Sequence, residues 1–214
     1  MSERAEIAIL DYGMGNLRSV EKAVEHVGGK SMVTSDPGAI RSADGLILPG
    51  VGAFPEAMRE IRTRGFEDLI GGRVAAGTPL LGVCLGMQLL FESSTELGGA
   101  TGLGLLPGEV TALDAGGAKL PHIGWAGLRF EGLGESPLGA GIADAEPFYF
   151  VHSFVARPRA EHLLASSEHG ERFAAVVGDG SVFGTQFHPE KSSRAGLRML
   201  QNFVRLAAPV GAPA

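Results

Sequence analysis

Apolar and polar positions alternate in two rhythms along the first two thirds of the chain. Residues 6–10 form a short apolar run of strand length. After Asn16, which suits a helix cap, Val20, Ala23, Val24 and Val27 recur at helical spacing, and Gly28-Gly29 supplies the stop. Residues 31–34 and 45–48 read as a second and a third strand, the third running into Pro49-Gly50-Val51-Gly52, a loop of flexible backbone. Helical spacing returns from Pro55 to about Ala76 and divides into two helices near Gly65. Residues 80–83 are then a fourth strand that delivers Cys84, and residues 87–92 continue as helix.

Beyond Glu92 the pattern changes to short strands. Residues 109–113, 148–155, 173–177 and 181–187 are β-rich runs separated by glycine, proline and acidic residues, with Gly178-Asp179-Gly180 as a hairpin turn. Ser192 or Ser193 caps a final helix on which Leu197, Leu200 and Val204 share a face. Strands alternating with helices predict an α/β fold: a mostly parallel central sheet flanked by helices, with added antiparallel strands at one edge. No repeat or long linker divides the chain, so residues 1–206 are expected to form a single domain and the small residues of 207–214 a flexible tail.

Composition narrows the picture. The 214 residues are 44% hydrophobic and 20% charged, as in ordinary soluble domains, and a chain of this length buries roughly 70% of its unfolded surface without staples. The net charge of -6, with no cluster of lysine and arginine, argues against a nucleic-acid surface. The one cysteine suits a reducing compartment. Residues 1–6 are mostly polar and the apolar run after them stops at Asp11, too short for a signal-peptide core, so a cytoplasmic protein is expected. Residues 74–91 carry no charge and are long enough for a membrane span, but Gly77, Pro79, Gly82, Gly86 and Gln88 interrupt them. A buried strand, a sharp turn and a first helical turn fit that stretch better.

Cys84 has no partner for a disulfide and too few companions for a zinc site, which leaves core filler or nucleophile. It sits in Gly82-Val83-Cys84-Leu85-Gly86, a strand entering a small-residue turn, the layout of a nucleophile elbow, and the flanking glycines favour the nucleophile. A free thiol ionises near roughly pH 8.5, so it needs a base or a helix N-terminus to react at neutral pH. Of the six histidines, His26, His162 and His169 look like surface residues, while His122 and His152 are core or site-lining. His188 ends a β-run at Pro189, with Glu190 placed to orient its ring. Taken alone, His-Pro-Glu reads more readily as an ordinary turn with a solvated glutamate. An elbow enzyme also draws oxyanion donors from the residue after the nucleophile, here Leu85, and from a second loop, for which the Gly50-Val51-Gly52 segment is the candidate. Asp11-Tyr12-Gly13-Met14-Gly15-Asn16 lacks the third glycine of a dinucleotide fingerprint, since position 18 is arginine, and reads as a turn or partner contact.

Gly82-Val83-Cys84-Leu85-Gly86-Met87-Gln88 and Gln186-Phe187-His188-Pro189-Glu190-Lys191-Ser192 together resemble the two signatures of class I glutamine amidotransferases. Asp11 to Leu17, Pro49 to Phe54, Gly124-Trp125 and Tyr149-Phe150-Val151-His152-Ser153 are similar to the branch that serves as glutaminase subunit of imidazole glycerol phosphate synthase, and the resemblance runs from about Ile7 to Phe203. One departure is Ala126, where that branch usually carries asparagine after Gly-Trp; it leaves open what position 126 does toward a partner. The resemblance implies hydrolysis of glutamine to glutamate and ammonia by Cys84, His188 and Glu190. It implies oxyanion and glutamine contacts from Val51, Gly52, Leu85, Gln88, Ser153 and Phe154, the last two through backbone groups. No metal or cofactor is implied. The partner is expected to be the cyclase subunit, a separate protein that consumes the ammonia. Two rival readings are a free-standing γ-glutamyl hydrolase and a catalytically silent regulatory subunit.

Overall fold

The computed structural model describes residues 4–208. The strands are β1 (Glu6–Leu10), β2 (Lys30–Thr34), β3 (Gly45–Gly50), β4 (Leu80–Cys84), β5 (Phe91–Ser94), β6 (Ala100–Thr101), β7 (Leu106–Ala112), β8 (His122–Gly127), β9 (Arg129–Phe130), β10 (Pro147–His152), β11 (Phe154–Pro158), β12 (Leu163–His169), β13 (Glu171–Asp179) and β14 (Val182–Thr185). The α-helices are α1 (Leu17–His26), α2 (Pro37–Ser42), α3 (Phe54–Thr63), α4 (Phe66–Ala75), α5 (Leu85–Leu89) and α6 (Ser193–Ala207).

The main sheet has the order β2-β1-β3-β4-β14-β13-β12-β9. Its first five strands are parallel, and the β14-β13-β12-β9 pairings are antiparallel. Side chains alternate across it as the pleat requires. Ile7, Ile9 and Ile47 point toward α1 and α6, where they meet Val20, Val24, Met199, Leu200 and Phe203. Ala8, Leu10, Leu46 and Leu48 point the other way, toward Phe54, Met58 and Ile61 of α3 and Phe66 and Ile70 of α4. Each of these large apolar side chains, once buried, contributes roughly 1.5–3 kcal/mol. The predicted parallel sheet with helices on both faces and antiparallel strands at one edge is therefore the architecture found. Among the described residues, no helix is long and apolar enough to cross a membrane.

Several local expectations change. The run at 87–92 is not one helix: α5 stops at Leu89 and the chain turns into strand β5. The run at 148–155 is two strands that part at Ser153, with β10 pairing with β8 and β11 with β7, in sheets separate from the main one. Helix α2 was missed, although Asp36 caps it by accepting the Ala39 N–H at 2.8 Å. Asn16 and Ser192 stand at the predicted cap positions but bond elsewhere; Asn16 accepts from the Ser19 hydroxyl. The expected tail falls mostly outside the described residues, and Ala207 belongs to α6.

The junction of β4 and α5 is where the fold is tightest. Cys84 is a non-glycine residue at φ 56° and ψ -112°, a conformation that persists only where its surroundings enforce it. The enforcement is visible on both sides. A Cβ on Gly86 would stand 1.8 Å from the Leu48 carbonyl oxygen of β3, and one on Gly82 would stand 2.6 Å from the Gly86 carbonyl oxygen. Only glycine lets these backbones approach. Gly86→Ala is expected to lower the unfolding free energy by at least about 3 kcal/mol, because the obstruction is backbone rather than a yielding side chain. Urea denaturation measures it; an unchanged midpoint would contradict this account of the turn.

Candidate active site

Cys84 is carried to the rim of the sheet by β4, and Gly50 of β3 lies beside it in parallel register. The thiol is in a cavity of about 350 Å³ lined by Val51, Gly52, Cys84, Leu85, Gln88, Glu96, Val151, His152, Ser153, Phe154 and His188. The helix after Cys84 is only five residues long, so the N–H groups of its first turn, rather than a long macrodipole, are what it offers the sulfur. Cys84 Sγ is 3.7 Å from the Val151 carbonyl, and Gln186 Nε2 is 4.0 Å from the sulfur.

His188 reaches the cavity from the segment after β14. Its backbone is held on both sides: its N–H donates to the Tyr149 carbonyl at 3.0 Å, and its carbonyl accepts from the Ser192 hydroxyl at 2.6 Å. Ser192 Oγ in turn accepts the Tyr149 N–H at 3.0 Å, which ties the histidine segment to β10. Nδ1 of His188 is 2.9 Å from Glu190 Oε1, with the two side chains 4% and 1% exposed. The turn with a solvated glutamate is thereby excluded. Nε2 of His188 is buried without a hydrogen-bond partner, and with Nδ1 engaged by Glu190 it is the edge available to Cys84. Burial by itself would lower the pKa of His188. Interaction with Cys84 and Glu190 outweighs it, and the ring is raised to about 9.

A second histidine lines the cavity but is electrostatically opposite. Burial pushes His152 down to about 3 and His122 down to about 4, so both are neutral at ordinary pH. Their tautomers follow from the contacts. His152 Nδ1 faces the Phe154 carbonyl at 3.1 Å and must donate, so His152 Nε2 accepts from His122 Nδ1, also at 3.1 Å. His152 is therefore a fixed wall of the cavity rather than a base. His169, expected at the surface, stacks on His122 with ring centroids 4.2 Å apart. His162 is also largely covered, 3.7 Å from Asp179, whereas His26 is exposed as expected. His162 and His169 lie among charged residues, Glu161 beside the first and Glu168, Glu171 and Arg172 around the second, so nothing local marks them as covered.

All of the residues singled out from the sequence come together except Glu190, which stands behind His188 rather than in the cavity. Gln88 donates through Nε2 to the Phe154 carbonyl and to Gln186 Oε1, both at 3.0 Å, which leaves its own carbonyl oxygen for a ligand. The Ser153 carbonyl accepts from Leu113 N–H at 2.9 Å, so the backbone at 153–154 is locked in place. Glu96 was missed. Its Oε2 accepts the Phe54 N–H at the start of α3 at 2.8 Å, which brings its carboxylate into the lining. No local motif marks it, because the contact joins the turn between β5 and β6 to a helix start 42 residues earlier. Among the described residues, no group of histidine, cysteine and acidic side chains is arranged to hold a metal ion.

Comparison with known proteins agrees with this geometry. Residues 8–207 match the family model described as glutamine amidotransferase class-I. The chain is 50% identical over 206 residues to the imidazole glycerol phosphate synthase subunit HisH of Moorella thermoacetica, covering 96% of this chain and 97% of the relative. It is 46% identical to the protein of the same name from Aromatoleum aromaticum, covering 95% and 99%. Among solved structures, a glutamine amidotransferase superposes with a TM-score of 0.73 at 23% identity, covering 95% of this chain and 99% of that one. PurLQS from Thermotoga maritima superposes with a TM-score of 0.75 at 19% identity, again covering 95% and 99%; at these identities the two superpositions speak for the fold. The chain belongs to the class I glutamine amidotransferases and, within them, to the HisH subunits of imidazole glycerol phosphate synthase.

Proposed function

We propose that this protein hydrolyses glutamine to glutamate and ammonia through Cys84, His188 and Glu190, and hands the ammonia to the cyclase subunit of imidazole glycerol phosphate synthase in the cytoplasm. The observation that carries the reading is the buried His188–Glu190 pair with its free Nε2 edge toward the one cysteine, inside a cavity of a glutamine amidotransferase. The carboxylate fixes the ring and stabilises the imidazolium. A proton held by His188 leaves sulfur as the thiolate nucleophile.

The sulfur attacks the side-chain amide carbon of glutamine. Negative charge then develops on the amide oxygen, where the Leu85 N–H and the Val51–Gly52 backbone are the donors at hand. His188 protonates the departing ammonia and becomes neutral. A γ-glutamyl thioester remains. His188 next takes a proton from water, the resulting hydroxide attacks the thioester carbon, and Cys84 leaves as thiolate beside a reprotonated His188. The Gln88 carbonyl oxygen and the backbone of Ser153 and Phe154 hold the substrate, and the Glu96 carboxylate suits its α-ammonium group. Exposed Val51 lines the cavity, and exposed Ile123 and Trp125 lie on β8, where Ile123 pairs with the lining residue Val151; these apolar side chains are offered to the cyclase partner, in a heterodimer.

Cys84→Ala is expected to abolish glutamine hydrolysis while leaving association with the cyclase subunit intact, as measured by glutamate release and by co-elution. Retained hydrolysis would sink the assignment. Strong wild-type activity that ignores the partner would instead favour a free-standing hydrolase, and none in either condition a silent subunit. The pH dependence follows from His188. Because its pKa is raised to about 9, the proton needed by the leaving group is present below that pH and lost above it, so activity falls on the alkaline side. Glu190→Gln removes one of the causes that raise it. Its pH–rate profile should show the alkaline limb moved toward neutrality and the plateau lowered by roughly 10²–10⁴-fold. A limb that stays put would count against Glu190 as orienter.

A further inference from the structure

The turn between β1 and α1 buries a hydroxyl that none of these steps uses. Tyr12 is completely buried, and its Oη donates a 2.8 Å hydrogen bond to the Pro49 carbonyl. Pro49 and Gly50 end β3, where the chain leaves the sheet for Val51 and Gly52 at the cavity. The same hydroxyl borders the elbow. A Cβ on Gly50 would meet Tyr12 Oη at 2.6 Å, Gly86 N at 2.9 Å and Leu85 Cβ at 2.9 Å. Farther along the turn, the Met14 methyl lies 2.8 Å from where a Cβ on Gly52 would stand. Residues 12–14 therefore back the loop from one side while the elbow backs it from another.

The bond adds to the pairing of Pro49 and Gly50 with Val83 and Cys84 of β4, past which the chain leaves the sheet. Glycines at 50 and 52 place no side chain in the way of backbone rotation, and Gly52 already has φ +100°. Turning the Pro49–Gly50 peptide would cost it the Tyr12 bond and leave a buried carbonyl unpaired, which is the restraint a phenylalanine ring at position 12 would not supply. Burial, and the charge at Cys84, push the phenol well above its ordinary pKa, so it stays a neutral donor throughout the working range.

We propose that Tyr12 is a positioning residue for the hydrolysis, fixing the Pro49 carbonyl and thereby the placement of the Gly50–Gly52 backbone relative to Leu85 of the elbow. The proposal rests on Cys84 being the nucleophile. It gives a role to Tyr12 of the Asp11–Asn16 motif, whose complete burial keeps the side chain from touching substrate directly.

The test is Tyr12→Phe, assayed in the complex with the cyclase subunit. The expected result is a kcat for glutamine lowered by roughly tenfold or more, with KM within about twofold of wild type. Alkylation of Cys84 by iodoacetamide should keep its wild-type rate, since that reaction builds no oxyanion, and it also reports that the variant is folded. Met14→Ala, which uncovers Gly52 with the hydroxyl in place, should lower kcat in the same pattern. An unchanged kcat in Tyr12→Phe, a rise in KM alone, or an alkylation rate that falls in step with kcat would overturn the proposal. Cys84→Ala in the same assay separates the two claims. If it still hydrolyses glutamine, the nucleophile reading fails; if it is inactive while Tyr12→Phe runs at full rate, only the role of Tyr12 fails.

Discussion

The close approach of the β4–α5 turn to the end of β3 governs what the rest of this molecule can do. With Gly86 lying against the Leu48 carbonyl and Gly82 against the Gly86 carbonyl, the chain has no room to relax at Cys84, and that residue is held at positive φ. Such a conformation is unfavourable locally and is offset by the core on both faces of the sheet. The consequence is positional: the sulfur is held at the sheet rim in the cavity, beside Gly50 of β3, which packs closely against Leu85 and Gly86 of the elbow. Strand β14, parallel to β4, then brings the His188 segment to the same rim.

Electrostatics separates the two histidines that share this cavity. His152 is locked by the Phe154 carbonyl and His122 into a neutral ring, and burial holds its pKa at about 3. His188 is buried too, but Glu190 and Cys84 reverse the sign of the shift and raise it to about 9. The difference lies in which groups face each ring, carbonyl and imidazole for one, carboxylate and sulfur for the other. The cavity thus holds one histidine that keeps its proton at neutral pH and one that is neutral and fixed in its tautomer.

The parallel strands and the helix faces could be read directly from the sequence because burial imposes period. Ile7 to Leu10 and residues 80–83 are buried on both faces and read as continuous apolar runs, and α6 shows its stripe in Leu197, Leu200 and Val204. The candidate site was legible for a different reason: Cys84, His188 and Glu190 lie in compact local motifs, so the proposed chemistry is concentrated in a few neighbouring letters. What escaped was set by tertiary pairing. The run at 148–155 looks like one strand because nothing local marks the change of partner at Ser153. His169 sits among charged residues and gives no sign that its ring stacks on His122. Glu96 reaches the cavity only through its bond to Phe54 N–H, a contact between segments far apart in the chain.

The central claim is that glutamine passes through a covalent bond to the one cysteine. Acid quenching of the complex during turnover, followed by proteolysis and mass analysis of the peptide that contains Cys84, measures it most directly. The expected result is a γ-glutamyl group on Cys84 that disappears when glutamine is exhausted. Continued glutamate release with Cys84 unmodified, or a glutamyl group on another residue, would contradict it.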